Sequence, residues 1–154
     1  MVEDEDKRAL DDIEKYGCHI LQIMEGEFNP PFSYSIGIQK TSNAPELIIV
    51  GLKNNLSGWI INEYCRRVSN GERFIENRYY EGFIGGFSVT FKKVNKEHYK
   101  EYLGWALWLY KNDNFEVLQM IYPTTSGIWP WDPQAPQDFL ESIRTLYDDR
   151  KDLQ

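Results

Sequence analysis

The sequence predicts an α+β fold, a single compact domain in which a mainly antiparallel sheet of about five strands is covered by two principal helices. Three observations carry that expectation. Phe32-Ser33-Tyr34-Ser35-Ile36-Gly37-Ile38 and Pro45-Glu46-Leu47-Ile48-Ile49-Val50-Gly51-Leu52 are short apolar runs rich in β-branched and aromatic residues, so they read as two strands joined by a polar turn. Residues 55–68 and 96–111 instead repeat apolar side chains every three or four positions, the period of a helix. The 154 residues suffice to bury one sizeable core and need no second.

Residues 4–16 mix charges with Leu10, Ile13 and Tyr16 at helical spacing and stop at Gly17, which predicts a lead-in helix over 1–16. The main domain then runs over 17–148, and 149–154 form a charged tail. Residues 18–24 alternate as a strand, with Cys18, Ile20 and Gln22 on one face and His19, Leu21 and Ile23 on the other. A Gly/Asn/Pro turn leads into the strand pair, whose connection, with Thr41, Ser42 and Asn43, reads as a hairpin loop. Asn54 or Asn55 can cap the next helix, in which Leu56, Ile60, Tyr64 and Val68 form the apolar stripe and Asn70-Gly71 the stop. Residues 83–94 read as one strand with Phe87, Val89 and Phe91 on a face, and Gly82, Gly85 and Gly86 as a bulge at its entry. Asn95 caps the helix 96–111, where Tyr99, Leu103, Ala106 and Tyr110 share a face that Tyr102, Trp105 and Leu107 widen. Residues 116–122 supply a further strand. The stretch Trp129-Pro130-Trp131-Asp132-Pro133 is too proline-rich for regular structure, and 139–147 can close the fold as a helix.

Composition excludes several classes of function. A formal net charge of −7 and a pI near 4.9 oppose binding to a phosphate backbone, which selects a basic footprint, and suit a basic protein partner. No apolar run approaches a membrane span and the acidic N-terminus has no signal-peptide pattern, so the expectation is a cytoplasmic protein without membrane or nucleic-acid partners. Cys18 and Cys65 are too few for a disulfide framework and read as reduced core thiols. Oligomeric state is left open.

Several marks recur in a known order: Gly17-x-His19; Pro31-Phe32-x-Tyr34-Ser35-x-Gly37; Pro45-Glu46-Leu47 leading to Gly51-Leu52; and Gly71-Glu72-Arg73-Phe74. They continue with Tyr102-Leu103-Gly104-x-Ala106-Leu107-Trp108-x-Tyr110, Leu118-Gln119 and Gly127-x-x-Pro130-Trp131. In this combination the chain resembles the bacterial domain of unknown function 4262 family over nearly its whole length. The resemblance implies a compact α/β domain and supplies no catalytic roles. Where that family commonly reads His-Pro-Glu and Trp-Pro-Asp, this chain has Ala44-Pro45-Glu46 and Tyr122-Pro123-Thr124, which favours a scaffold or binding role.

His19 and Glu46 are the first candidates for proton transfer, set against a core histidine and a carboxylate satisfied by backbone amides or by Arg73. The latter, structural reading is preferred. No metal-ligand spacing, phosphate loop or nucleophile elbow is present, so no catalytic residue, metal or cofactor is assigned. The binding candidates are His19, Tyr34, Ser35, Glu46, Arg73, Trp108, Trp129 and Trp131. The expected function is a non-catalytic binding module for a protein partner, immunity-like or antitoxin-like. The alternative is a flavin- or other small-ligand-binding enzyme with a split-barrel-like sheet. There, Ser33, Ser35, Lys40, Thr41 and Ser42 would hold a phosphate and Trp129 or Trp131 would cover the ring. The segment 129–133 is otherwise expected to pack across the helix 96–111 and seal the core.

Overall fold

The computed structural model describes residues 2–147; the predicted charged tail over 149–154 lies outside them. Helix α1 (Val2–Tyr16) precedes strands β1 (His19–Ile23) and β2 (Phe32–Ile36), the short helix α2 (Ile38–Ser42) and strand β3 (Glu46–Val50). Then come helix α3 (Asn54–Ser69), strands β4 (Tyr80–Ile84) and β5 (Phe87–Lys93), and a 3-10 turn (Lys96–His98). Helices α4 (Tyr99–Tyr102) and α5 (Gly104–Tyr110), strand β6 (Val117–Ile121) and helix α6 (Gln137–Ile143) complete the order.

The six strands form one mixed sheet in the order β1-β2-β3-β6-β5-β4. The neighbours are antiparallel except at the centre, where β3 and β6 run parallel. The sixth strand comes from the glycines. Gly85-Gly86, expected as a bulge within one strand, make the turn of a hairpin, with Ile84 opposite Phe87 and Gly86 at φ 80.

Both faces of the sheet are covered. Leu47 and Ile49 of β3 pack with Ile60, Ile61, Tyr64 and Val68 of α3, while Ile48 and Val50 turn to the opposite face. There they meet Ala9 and Ile13 of α1, Tyr99 and Tyr102 of α4, Ala106 of α5, and Leu103 between the two helices. All five residues of β3 are buried, so its unbroken apolar run is that of a central strand rather than a half-exposed one. Burying each such isoleucine contributes about 1.5–3 kcal/mol.

Local departures from the expected elements have identifiable causes. The 96–111 helix is broken at Leu103, at φ −118 and ψ 39, just before Gly104. The α1 stripe consists of Ala9 and Ile13, one helical turn apart, while Leu10 and Tyr16 are exposed. Neither Asn54 nor Asn55 caps α3: Lys53 occupies that position without a side-chain bond. Asn54 Nδ2 reaches across to Ser33 Oγ at 3.4 Å instead. The segment around Trp129 also fails to cross α4 and α5. Trp129 and Trp131 stack on each other at 5.2 Å, Trp129 packs edge-on to Tyr79, and Lys92 of β5 sits over the Trp131 ring.

Candidate functional site

The first strand pair converges on Glu46, which opens β3 and is fully buried. One carboxylate oxygen accepts from Ser35 Oγ at 2.8 Å and the Ile38 amide at 3.2 Å; the other accepts from the amides of Gly37 and Gln39, both at 3.1 Å. The Tyr110 hydroxyl also donates to it. Helix α2 lacks a side-chain cap of its own, so Glu46 serves its first amides from across the loop. Burial pushes the Glu46 carboxyl up from the ordinary range, and the donors from Tyr110, Ser35, Gln39 and Ile38 pull it back. The three amides can only donate, whereas the Ser35 and Tyr110 hydroxyls both donate here and accept from neighbouring amides, so all five groups are aimed at the two carboxyl oxygens.

The glycine before α2 makes this arrangement possible. Gly37 lies at φ 99, and a Cβ there would stand 2.6 Å from Ile13 Cγ1 of α1. A side chain at this position would push α1 off the sheet while straining the loop.

The other candidate residues are distributed among separate structural tasks. Ser35 Oγ also accepts the Leu47 amide, so it joins β2 to β3 as well as to Glu46. Tyr34 accepts the Trp105 amide at 3.1 Å, one of the free N–H groups at the start of α5. His19 Nδ1 pairs with Asp12 of α1 at 2.7 Å and shares no hydrogen bond with Glu46. Arg73 does not reach Glu46 either. Its guanidinium donates to the carbonyls of Val68 and Glu72 near the end of α3 and to Ser42 at the end of α2, where orphan carbonyls await donors. Trp108 belongs to a pair with Trp105, remote in the fold from the Trp129–Trp131 stack. The structure therefore joins Ser35 with Glu46 and Trp129 with Trp131, and brings no other candidates together.

Of the donors named for a phosphate, Ser33, Ser35 and Thr41 are engaged within the fold, while Lys40 is exposed. Thr41 Oγ1 donates to Gly17 and Gly37 carbonyls, Ser33 is buried beneath Asn54, and the polar loop itself is helix α2. The sheet remains open, with β1 and β4 as edges, instead of closing as the split-barrel comparison expected. Among the described residues, no group of three or more His, Cys, Asp or Glu side chains is placed to hold a metal ion. No helix among them is long and apolar enough to cross a membrane. Cys18 and Cys65 are free and buried, and the hydrogen bond between them, followed by burial, pushes the Cys18 thiol up.

Two determinants escaped the residue-by-residue reading. Gln119, fully buried in β6, donates to the Ile143 and Arg144 carbonyls and accepts the Leu146 amide, tying the end of α6 to the sheet. Its signal was a polar residue inside an apolar strand. The second is a groove on the α3 side. Leu56, Trp59 and the hairpin from Glu81 to Phe87 enclose about 570 Å³. Leu56, Ile84 and Phe87 also line an adjoining pocket of about 310 Å³, which extends to Tyr122, Thr124 and Phe139. This second pocket sits beyond the carboxyl ends of the parallel strands β3 and β6, where ligand crevices of α/β sheets form. Trp59 is 55% exposed and Leu56 38%, large apolar surfaces left to solvent at the groove's mouth.

The family model described as Domain of unknown function (DUF4262) matches residues 12–136. No curated protein and no solved structure matches the chain. The matched span takes in the Glu46 hub, all six strands and the groove between α3 and the β4–β5 hairpin. The chain belongs to the DUF4262 family of domains of unknown function.

Proposed function

We propose that this chain is a non-catalytic binding module, immunity-like or antitoxin-like, that takes an apolar segment of a basic protein partner into the groove between α3 and the β4–β5 hairpin. The observation that carries this reading is the groove itself, an apolar trough with an exposed tryptophan at its mouth and the exposed carboxylate of Glu81 on its wall. Tryptophans in such positions dominate binding energies because a rigid ring buries much area at small entropic cost. A net charge of −7 steers a basic partner toward the molecule. The occupation of Glu46 and His19 by structural partners supports binding over proton transfer.

A photo-crosslinking residue in place of Trp59 tests the proposal in cells of the source. The expected product is one predominant adduct with a basic protein. Binding of that purified protein should then weaken about 10-fold or more in Trp59→Ala and in Leu56→Asp. Glu81→Lys should slow its association at low salt. Adducts with no basic protein, or unchanged affinity in the groove variants, would overturn the reading. So would a purified sample that is yellow with a flavin spectrum.

A further inference from the structure

A second aromatic surface lies on the opposite side of the sheet, where α5 faces α1. Trp105 and Trp108 are half-buried, with ring centroids 5.3 Å apart and planes at 73°, so the two indoles form adjoining walls of a corner. Gly104 and Asp6 complete a notch of about 330 Å³. Indole faces carry negative potential and attract cations. Asp6 adds a formal charge, and among the described residues its carboxylate has no ion-pair partner. Lys111 Nζ lies 5.6 Å from the Trp108 centroid, so this indole already holds an ammonium group from outside the notch.

Hydrogen-bond capacity decides which cation fits. A primary ammonium brings three donors and a guanidinium five, and in this open notch those donors keep their water, which holds the charge off the rings. The notch offers a single carboxylate as side-chain acceptor. A quaternary ammonium brings no donor at all, and its methyl groups suit an aromatic wall. We infer that the notch binds the quaternary ammonium headgroup of a small solute, with Trp105 and Trp108 against the methyl groups and Asp6 as counter-charge. The site shares no residue with the groove proposed above, so each can fail without the other.

The test follows the indole N–H resonances of Trp105 and Trp108 in the full chain during titration with tetramethylammonium chloride or choline chloride. Sodium chloride at matched ionic strength and the neutral tert-butyl analogue of choline are the controls. Both cations should give saturable shifts, with the neutral analogue at least about 10-fold weaker. Asp6→Asn should weaken binding about 3- to 10-fold. Gly104→Ala should also weaken binding, by filling the notch, while thermal stability holds or rises. A Cβ at Gly104 meets nothing within 4 Å, and alanine favours a helix. Shifts that sodium chloride reproduces, equal binding of the neutral analogue, or full affinity in both variants would overturn the assignment.

Discussion

Glu46 shows how one side chain organises a junction between elements. Its carboxylate accepts two hydroxyls and three backbone amides, so the first turn of α2 and the adjoining ends of β2 and β3 share one acceptor. Glu46→Gln would turn an NH2 group toward backbone donors and leave at least one of them unpaired. The expected cost is about 2–4 kcal/mol, read from chemical denaturation. Tyr110→Phe deletes one donor of the five and should cost only about 1 kcal/mol. Equal costs for the two variants would mean that Glu46 is not the centre of this network. The sequence marked Glu46 as a buried carboxylate with backbone amides or Arg73 as partners. The amides are there, but Arg73 is not, because carbonyls at the ends of α2 and α3 lie within its reach. Choosing between partners so far apart in sequence requires the fold.

At the scale of elements, the interruption between α4 and α5 illustrates what periodicity alone cannot specify. The apolar pattern from Tyr99 to Tyr110 continues through the break, since Leu103 and Ala106 both face the core. What changes is the backbone at Leu103, which frees the Trp105 amide to bond Tyr34 on β2. Tyr34→Phe should therefore speed amide exchange at Trp105 and lower global stability by about 1 kcal/mol. Unchanged exchange at that amide would show that Tyr34 does not hold the start of α5. Helix α3 was legible from its period of 3.6 and β1 from alternation in its sequence, whereas β2, β3 and β6 were legible as short, largely apolar runs, the pattern of strands buried on both faces. The β4–β5 hairpin was legible only as a glycine-rich irregularity, because Gly82, Gly85 and Gly86 fit a bulge and a turn equally well. The groove was less legible still. Leu56 reads as part of the α3 stripe, and its exposure arises from where the hairpin stops.

Across the whole molecule, the tyrosines report how tightly the two covered faces are closed. Five of the ten, Tyr34, Tyr64, Tyr99, Tyr110 and Tyr122, have hydroxyls pushed up from the ordinary tyrosine range, with burial as the leading cause in each. They lie on both sides of the sheet: Tyr64 and Tyr122 pack with the α3 layer, and Tyr34 and Tyr99 with α1, α4 and α5. Tyr34 and Tyr99 are each raised to about 12. Between the unfolded value and about 12 the unfolded chain has released these protons while the native chain retains them. Stability is then fully present below the unfolded value and falls as pH rises, by on the order of 2–3 kcal/mol for each of the two. A near-ultraviolet titration should show part of the tyrosinate absorbance appearing reversibly, with the signal of the buried set delayed until circular dichroism is lost. Release of the buried set must wait for opening because the phenols of Tyr99 and Tyr122 are fixed by donation to the Phe115 and Val50 carbonyls. All ten ionising in one graded wave with the fold intact would place water at these rings and contradict closure of both faces.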